Sequence, residues 1–200
     1  MNNKIINIPV FPLSGALLLP NGNLPLNIFE QRCLSMVDHS LSTNKFIGML
    51  QFESQKNNEL YEIGCLGKIT SFSKTNDNRY LINLLGVAKY KIINELKTNK
   101  NFRIFSVKIE NFENYNKLNR NNFNRELLIN KIKSYFSNKN IKIESDNFKS
   151  IDDKRLINTI SMICPFDISE KQMLLESKNL NDLNERLIAL LEFNNNNASN

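Results

Sequence analysis

Two hundred residues, 41% of them hydrophobic, are enough chain for one domain of two lobes, or two small domains, with a real core. Charged side chains make up 23% of the sequence, and the most apolar window falls well short of the roughly 18 to 20 residues that a membrane span needs, which excludes a transmembrane helix. The net charge of +6 is unevenly spread: residues 97–149 hold 12 basic and 5 acidic side chains, against 9 and 7 before them and 5 and 8 after them.

Such a basic middle can neutralise phosphates or acidic surfaces. Its lysines lie among asparagines, however, without Arg-Gly repeats or an RNP-type aromatic motif, and a solvated basic face is the expected reading. Cys33, Cys65 and Cys164 are odd in number, far apart and set among apolar neighbours, which suits buried thiols in a reducing compartment rather than a disulfide framework or zinc ligands. The single His39 has no partner ligands in sequence, so no metal site is expected. The opening "MNNKIINIPVFPL" lacks a cleavage signal and reads as the start of a cytoplasmic protein.

In chain order, "IPVFPLSGALLLPNGNLPLNIFE" (Ile8 to Glu30) comes first, with four of the five prolines. Proline removes a ladder donor and breaks helices, so this run predicts short extended pieces joined by corners, and neither a long helix nor a central strand. "KIINIPVFPL" and "GALLLP" are strand candidates about a Ser14-Gly15 turn, and "PNGN" marks a second turn. In a strand, side chains alternate between faces, so Leu17, Leu18 and Leu19 cannot all enter one core. That makes Leu18 or a neighbour a candidate for contact with a partner, with burial under a helical lobe as the competing outcome.

From Ile28 the spacing predicts a helix of about three turns with Phe29, Cys33, Met36 or Val37, and Leu41 on one face. Four segments rich in β-branched and aromatic residues follow, "KFIGMLQF", "YEIGCLGKITSFSK", "RYLINLLGVAKYKIINEL" and "FRIFSVKIENF". Gly64, Gly67 and Gly86 inside them predict bulges or tight bends, hence a curled or closed sheet plugged by the Phe29 to Leu41 helix. Past Phe112 the period turns helical. Leu127 or Leu128, Ile132, Tyr135 and Phe136 lie on one helix, and Leu156, Ile160 and Ile163 on a second that forms a hairpin or small bundle with it. Ser169 and Gln172 suggest a capping box after Pro165, and Asp182 with Glu185 another; Leu183, Leu187, Leu190 and Leu191 form the buried side of the last helix. The Asn-rich end has little to bury and reads as disordered. The expected domains are residues 1–112 (β-rich), 113–193 (helical) and a tail at 194–200.

Catalytic patterns are missing. "GCLGKI" (Gly64 to Ile69) has its glycines too close for a phosphate loop, with Ile69 where a metal-binding hydroxyl would stand. Asp152-Asp153 and Glu110 with Glu113 read as solvated carboxylates rather than an acid–base pair. No catalytic residue, metal or cofactor is expected.

The run "PVFPLSGALLLPNGNLPLNIFEQRCLSMV" resembles the opening motif of the Lon N-terminal domain family, a "PLFPL" strand followed by "L-P" and "PL-IFE-RY". "IGCLGKI" is similar to that family's "G-IG-I" strand, "NRYLINLLGVAKYKI" to its "GR--I-L-G--R--I" strand pair, and "INTISMICPFDISEKQMLLESKNLNDLNERLIALL" to its helical end. The resemblance spans most of residues 6–192. Gln31 and Cys33 replace the usual Pro and Tyr around Arg32, and Lys89-Tyr90 replaces the usual Arg-Phe, departures that bear on surface contacts more than on fold.

The resemblance implies an α+β fold: an N-terminal β-rich pseudo-barrel of the PUA-like kind with one inserted helix, then a C-terminal helical lobe. It implies the stand-alone bacterial form without ATPase or Ser-Lys peptidase modules, for which a peptidase S16 label would be inherited from the larger relative. The expected function is non-catalytic binding of unfolded or exposed hydrophobic polypeptide segments, as an adaptor or chaperone-like factor, through an apolar groove between the lobes or strand addition at a barrel edge. Candidate contact residues are Leu17, Leu18 and Leu19, with Glu30 and Arg32, which could also tie neighbouring loops by charge-assisted bonds. The alternative is an RNA-binding PUA-like module.

Overall fold

The computed structural model describes residues 4–54, 56, 58–110, 115, 117–119, 121, 123–141, 148 and 150–197. Strand β1 (Ile5–Pro12) pairs antiparallel with a later strand over Ile5 to Pro9, and parallel with another over Val10 to Pro12. It is therefore an interior strand, contrary to the expectation from its prolines. The reason is that it changes partner along its length, so Pro9 and Pro12 are each paired on one side only and the missing donor costs no two-sided ladder. The Ser14-Gly15 turn follows, with Gly15 at φ +76°, and the chain then runs as irregular backbone through Leu19.

Strand β2 (Asn23–Ile28) precedes helix α1 (Gln31–Ser42), and then come β3 (Phe46–Leu50), the short pair β4 (Phe52–Ser54) and β5 (Glu59–Leu60), β6 (Ile63–Lys74), β7 (Tyr80–Leu96) and β8 (Ile104–Ile109). The main sheet runs β2-β7-β6-β3-β1-β8, and β8 also pairs with β7, which closes a ring of β7, β6, β3, β1 and β8. Closure depends on the 17-residue β7, whose Tyr80 to Leu85 pairs with β2 and whose Tyr90 to Leu96 pairs with β8. Register shifts at Leu66/Gly67, Ile69/Ser71 and Ile92/Asn94 bend the strands enough for this. Gly67 and Gly86 face each other at the first shift, as the in-strand glycines predict. β2, with Pro25, pairs with β7 alone, an edge position that tolerates proline.

The ring is filled by Ile8, Val10, Leu50, Leu66, Ala88, Tyr90, Phe105, Val107 and Ile109. Tyr90, fully buried, is the largest of them, and its hydroxyl donates to the Met49 carbonyl at 3.1 Å. Gly48 and Gly64 make its space: a Cβ at either would lie within 2.7 Å of the Tyr90 side chain. Gly64 thus marks a close approach rather than a bulge. No α1 residue belongs to this cluster, so the ring is plugged by its own side chains and not by the helix. The buried face of α1, Cys33, Met36, Val37 and Ser40, belongs outside the ring, and Phe29 stays 63% exposed.

Four helices follow: α2 (Arg125–Asn138), α3 (Asp153–Ile163), α4 (Ile168–Leu175) and α5 (Leu180–Asn197). α2, α3 and α4 each pack against α5, which makes α5 the hub of the small bundle that the sequence leads one to expect, and Arg125 at the start of α2 pairs with Asp153 at the start of α3. Leu128 and Ile157 are buried where Leu127 and Ile163 are exposed. The capping box of α4 is Asp167 with Glu170, two residues ahead of the Ser169 expectation, because the aspartate carboxylate accepts the Glu170 N–H at 2.7 Å. At α5 the Asn179 side chain accepts from the N–H groups of Asn181 and Asp182, while Asp182 itself pairs with Arg186. α5 also continues through position 197 rather than ending in a tail at 194; Asn194 donates to Glu170 Oε1 at 2.7 Å and Asn195 to Ser134 at 2.9 Å, bonds that hold its last turn. The expected boundary at 112 lies outside the described residues, as do 198–200.

One apolar cluster joins the outer face of the ring to the helices, and Leu17, Leu18 and Leu19 sit in it beside Ile157, Ile160 and Leu187. Polar bonds stitch the same seam. Lys171 Nζ donates to the Gly15 carbonyl, Asn158 to Pro20 O at 2.9 Å, and Gln172 to Ile63 O at 3.1 Å. Lys89, only 6% exposed on β7, donates from Nζ to the Ser177 carbonyl and lies 4.4 Å from the centre of the Tyr115 ring.

At Gly86 an added Cβ would stand 2.1 Å from the Leu19 carbonyl oxygen, a backbone atom that cannot step aside. Gly86→Ala is expected to lower stability by about 3 kcal/mol in urea denaturation, the upper part of the overpacking range. Burial pushes the Lys89 ammonium from its ordinary 10.5 down to about 8. Between those values the unfolded chain binds more protons than the folded one, so this group's contribution is present above pH 10.5 and lost as pH falls through 8. Buried Cys65 and Cys164, pushed up to about 12, act in the opposite sense above pH 9. Comparison with Lys89→Met removes their effect: the stability of wild type relative to the variant should rise by roughly 2 kcal/mol from pH 7.5 to 10.

Candidate functional site

A cleft of about 400 Å³ opens where β1, α1, the β4–β5 hairpin and the β7–β8 connection meet. β1 supplies Val10, Phe11 and Pro12 at the point where it changes partner; α1 supplies Arg32, Cys33 and Met36 from its first two turns. The hairpin adds Phe52 and Asn58, and the connection adds Glu95, Asn101, Phe102 and Arg103. Phe11, Phe52 and Phe102 are half-buried, so aromatic surface is available without being loose. Amphipathic spacing explains α1's share: Cys33 and Met36 turn inward at i, i+3, and Arg32 lies on the adjacent solvent side.

The β7–β8 connection is fixed to α1 by a hydrogen bond from Asn101 Nδ2 to Ser35 Oγ at 3.1 Å and by the His39 ring stacked 5.4 Å from Phe102. Burial, then Lys100, holds His39 below its ordinary value, so the ring is neutral at pH 7. Arg103 grips Glu95 with two bonds, at 2.8 and 2.6 Å, and packs 5.0 Å over the Phe105 ring. That bidentate pair depresses the Glu95 carboxylate. Cys33 at the base is a buried thiol raised above its ordinary range, first by burial and then by Glu30, which makes it a packing group rather than a nucleophile.

The residues singled out in sequence separate into two places. Leu17, Leu18 and Leu19 are 2%, 2% and 0% exposed, so the exposed-patch expectation for them fails. The alternation argument presumed a strand, and this segment is irregular backbone between the ring and the helices, where three successive side chains all find apolar neighbours. Arg32 lines the cleft. Glu30 stands at the N-cap of α1 without a side-chain cap bond, and its carboxylate instead accepts from Arg32 Nε at 2.9 Å. The two charges, two residues apart, tie to each other.

At the interlobe seam core side chains pack together, and a hollow of about 240 Å³ lies beside Lys89, Glu110 and Ser177. Sequence reasoning missed Phe52, Phe102 and Arg103, which come from β4 and the β7–β8 connection. The usable signal was the apolar Phe102 directly after "KTNKN", since an aromatic next to a polar turn has little core to enter. Among the described residues no group of three or more His, Cys, Asp or Glu side chains is placed to hold a metal, and no helix is long and apolar enough to cross a membrane.

Comparison with known proteins bears on this geometry. Residues 7–193 match the family model described as the ATP-dependent protease La (LON) substrate-binding domain. A Lon protease of Buchnera aphidicola (subsp. Acyrthosiphon pisum) is 29% identical over 94% of this chain, and that of Escherichia coli K12 27% identical over 94%. The chain spans about a quarter of the length of these relatives, 25% in both cases. Among solved structures, a Lon N-terminal domain protein from Xanthomonas campestris superposes with a TM-score of 0.66 at 18% identity, covering 94% of this chain and 98% of that one. The N-terminal domain of a Mycobacterium avium complex Lon protease gives 0.68 at 12% identity over the same shares.

Proposed function

Because the chain belongs to the Lon substrate-binding domain family, we propose that it is a non-catalytic polypeptide-binding module whose cleft between α1, β1 and the β7–β8 connection holds extended segments bearing large apolar side chains. The observation that carries this is the cleft's floor. Phe11, Pro12, Phe52 and Phe102, each half-buried, present apolar surface in a concavity large enough for one or two side chains, with the buried Val10 and Met36 completing its lining, and the walls are tied by a hydrogen bond and an ion pair. A floor of this kind gains free energy from apolar area removed from water, which does not depend on a particular sequence and so suits clients that share only exposed hydrophobic side chains. The module acts in the cytoplasm, alone or as an adaptor that passes clients to a protease. Free β2 offers a second mode of contact, but Pro25 and the polar Asn23 and Asn27 on its exposed positions make it a poor template for strand addition.

Fluorescence anisotropy with a labelled unfolded polypeptide and a labelled single-stranded RNA, each at low and high salt, tests the reading. Polypeptide binding should survive salt, and the double variant Phe52→Ser, Phe102→Ser should weaken it about tenfold or more while the circular dichroism spectrum stays unchanged, since each half-buried ring contributes on the order of 1 kcal/mol. Salt-sensitive binding of RNA alone would overturn it.

A further inference from the structure

We propose that the cleft selects segments in which a large apolar side chain lies next to an acidic one, with the Asp or Glu carboxylate taken by the terminal nitrogens of Arg32. This rests on the polypeptide-binding reading of the cleft and narrows its clients.

Three observations support it. First, charge around the cleft is unbalanced. Among the described residues that line the cleft and the adjoining hollow, which share Phe102 and Arg103, four are cations, Arg32, Arg103, Lys97 and Lys100, and one is a carboxylate, Glu95; Glu30 pairs with Arg32 beside them.

Second, the two arginines are not equally engaged. Arg103 is committed to Glu95 through two bonds and to the Phe105 face, so it is a fixed wall. Arg32 gives Nε to Glu30, and the Cys33 thiol, a weak acceptor, also meets its guanidinium; among the described residues no carboxylate besides Glu30 is bonded to it. Its side chain is 65% exposed and that of Glu30 51%, so the pair contributes little and yields easily. A guanidinium that meets only one exposed carboxylate and a weak thiol acceptor is suited to capture of a second carboxylate.

Third, Arg32 lines the same cleft as Phe11, Phe52 and Phe102, so a free inorganic anion would meet only its charge, whereas a peptide segment engages charge and aromatic surface together. Glu30 acts in this arrangement as an internal competitor: it keeps Arg32 at the cleft mouth and lowers the cleft's attraction for acid.

The test uses two fluorescein-labelled peptides, amidated at the C-terminus so that no terminal carboxylate contributes, with the same central pair of phenylalanines and flanking Glu in one and Gln in the other. The acidic peptide should bind the full chain about fivefold tighter at low salt, as expected for one solvent-accessible charge-assisted pair, and the preference should shrink at high salt. Arg32→Gln should abolish the preference, Arg32→Lys should restore part of it, and Glu30→Gln should enlarge it about threefold, with unchanged thermal melts for all three. Equal binding of both peptides, still lost in the Phe52, Phe102 double variant, would overturn this inference and leave the cleft reading standing. Binding of neither peptide would overturn both, and an unchanged preference in Arg32→Gln would move the carboxylate away from this residue.

Discussion

The architecture depends on how a buried, non-repetitive stretch of backbone satisfies its hydrogen bonds. Between Leu13 and Gly22 the chain leaves the sheet and yet carries three leucines into the core, so its peptide groups lose water without gaining a ladder. Apart from the local Gly22 N–H to Leu19 O bond, the groups named next pair with other parts of the molecule. Leu13 N–H donates to Leu50 O and Asn21 N–H to Gly86 O, both in the ring; Gly15 O and Pro20 O accept from Lys171 and Asn158 in the helical lobe. The stretch is therefore satisfied only when ring and helices are both in place, which couples the lobes more tightly than the leucine contacts alone would. Gly86 and Gly22 exist in that context as sites of close approach: a Cβ on the first meets Leu19 O and on the second meets Met162 Sδ.

Ring closure imposes the second constraint. One strand, β7, serves three neighbours, and it can do so because bulges let its two halves point in different directions. Tyr90 sits where the change happens, paired in register with both Gly64 and Ile109, and fills the lumen. The same parity that turns Tyr90 inward turns Lys89 outward into the seam, where its charge is held by a carbonyl and an aromatic face rather than by a carboxylate. Burial of that ammonium costs stability, and the seam keeps it because Ser177 needs a donor at the α4–α5 turn.

The cleft follows from these two constraints rather than from any motif of its own. β1 must change partners at Pro9, α1 must cover the outside of the ring near that point, and the β7–β8 connection must return to the same end. Side chains brought together this way, apolar from β1 and the hairpin and charged from α1 and the connection, give a concave surface with an aromatic floor and a cationic rim. A surface of this make-up suits the proposed role of holding a polypeptide segment.

Much of the fold was legible in the sequence because it is written in local periodicity and turn chemistry. The apolar spacing after Ile28 placed α1, the β-branched runs placed β3, β6, β7 and β8, and Gly67 with Gly86 marked a bend, all within a few residues of their positions. Leu183, Leu187, Leu190 and Leu191 likewise marked the buried side of α5. Other features depend on which element faces which, and here local rules misled. Prolines forbade an interior β1 only on the assumption that a strand keeps both partners along its length; alternation exposed Leu18 only on the assumption of a strand; Phe29 was assigned to a buried face one turn before α1 begins. The cleft was the least legible, since Phe52, Phe102 and Arg103 lie far from Arg32 in sequence and each alone looks like ordinary loop composition. Sequence by itself determined the family, the α+β class and the order of most elements, because hydrophobic period and backbone preference act over a few residues. Tertiary structure alone decided ring closure, the burial of the three leucines and the assembly of the cleft, because these rest on long-range satisfaction of backbone groups and on the convergence of side chains from separate elements.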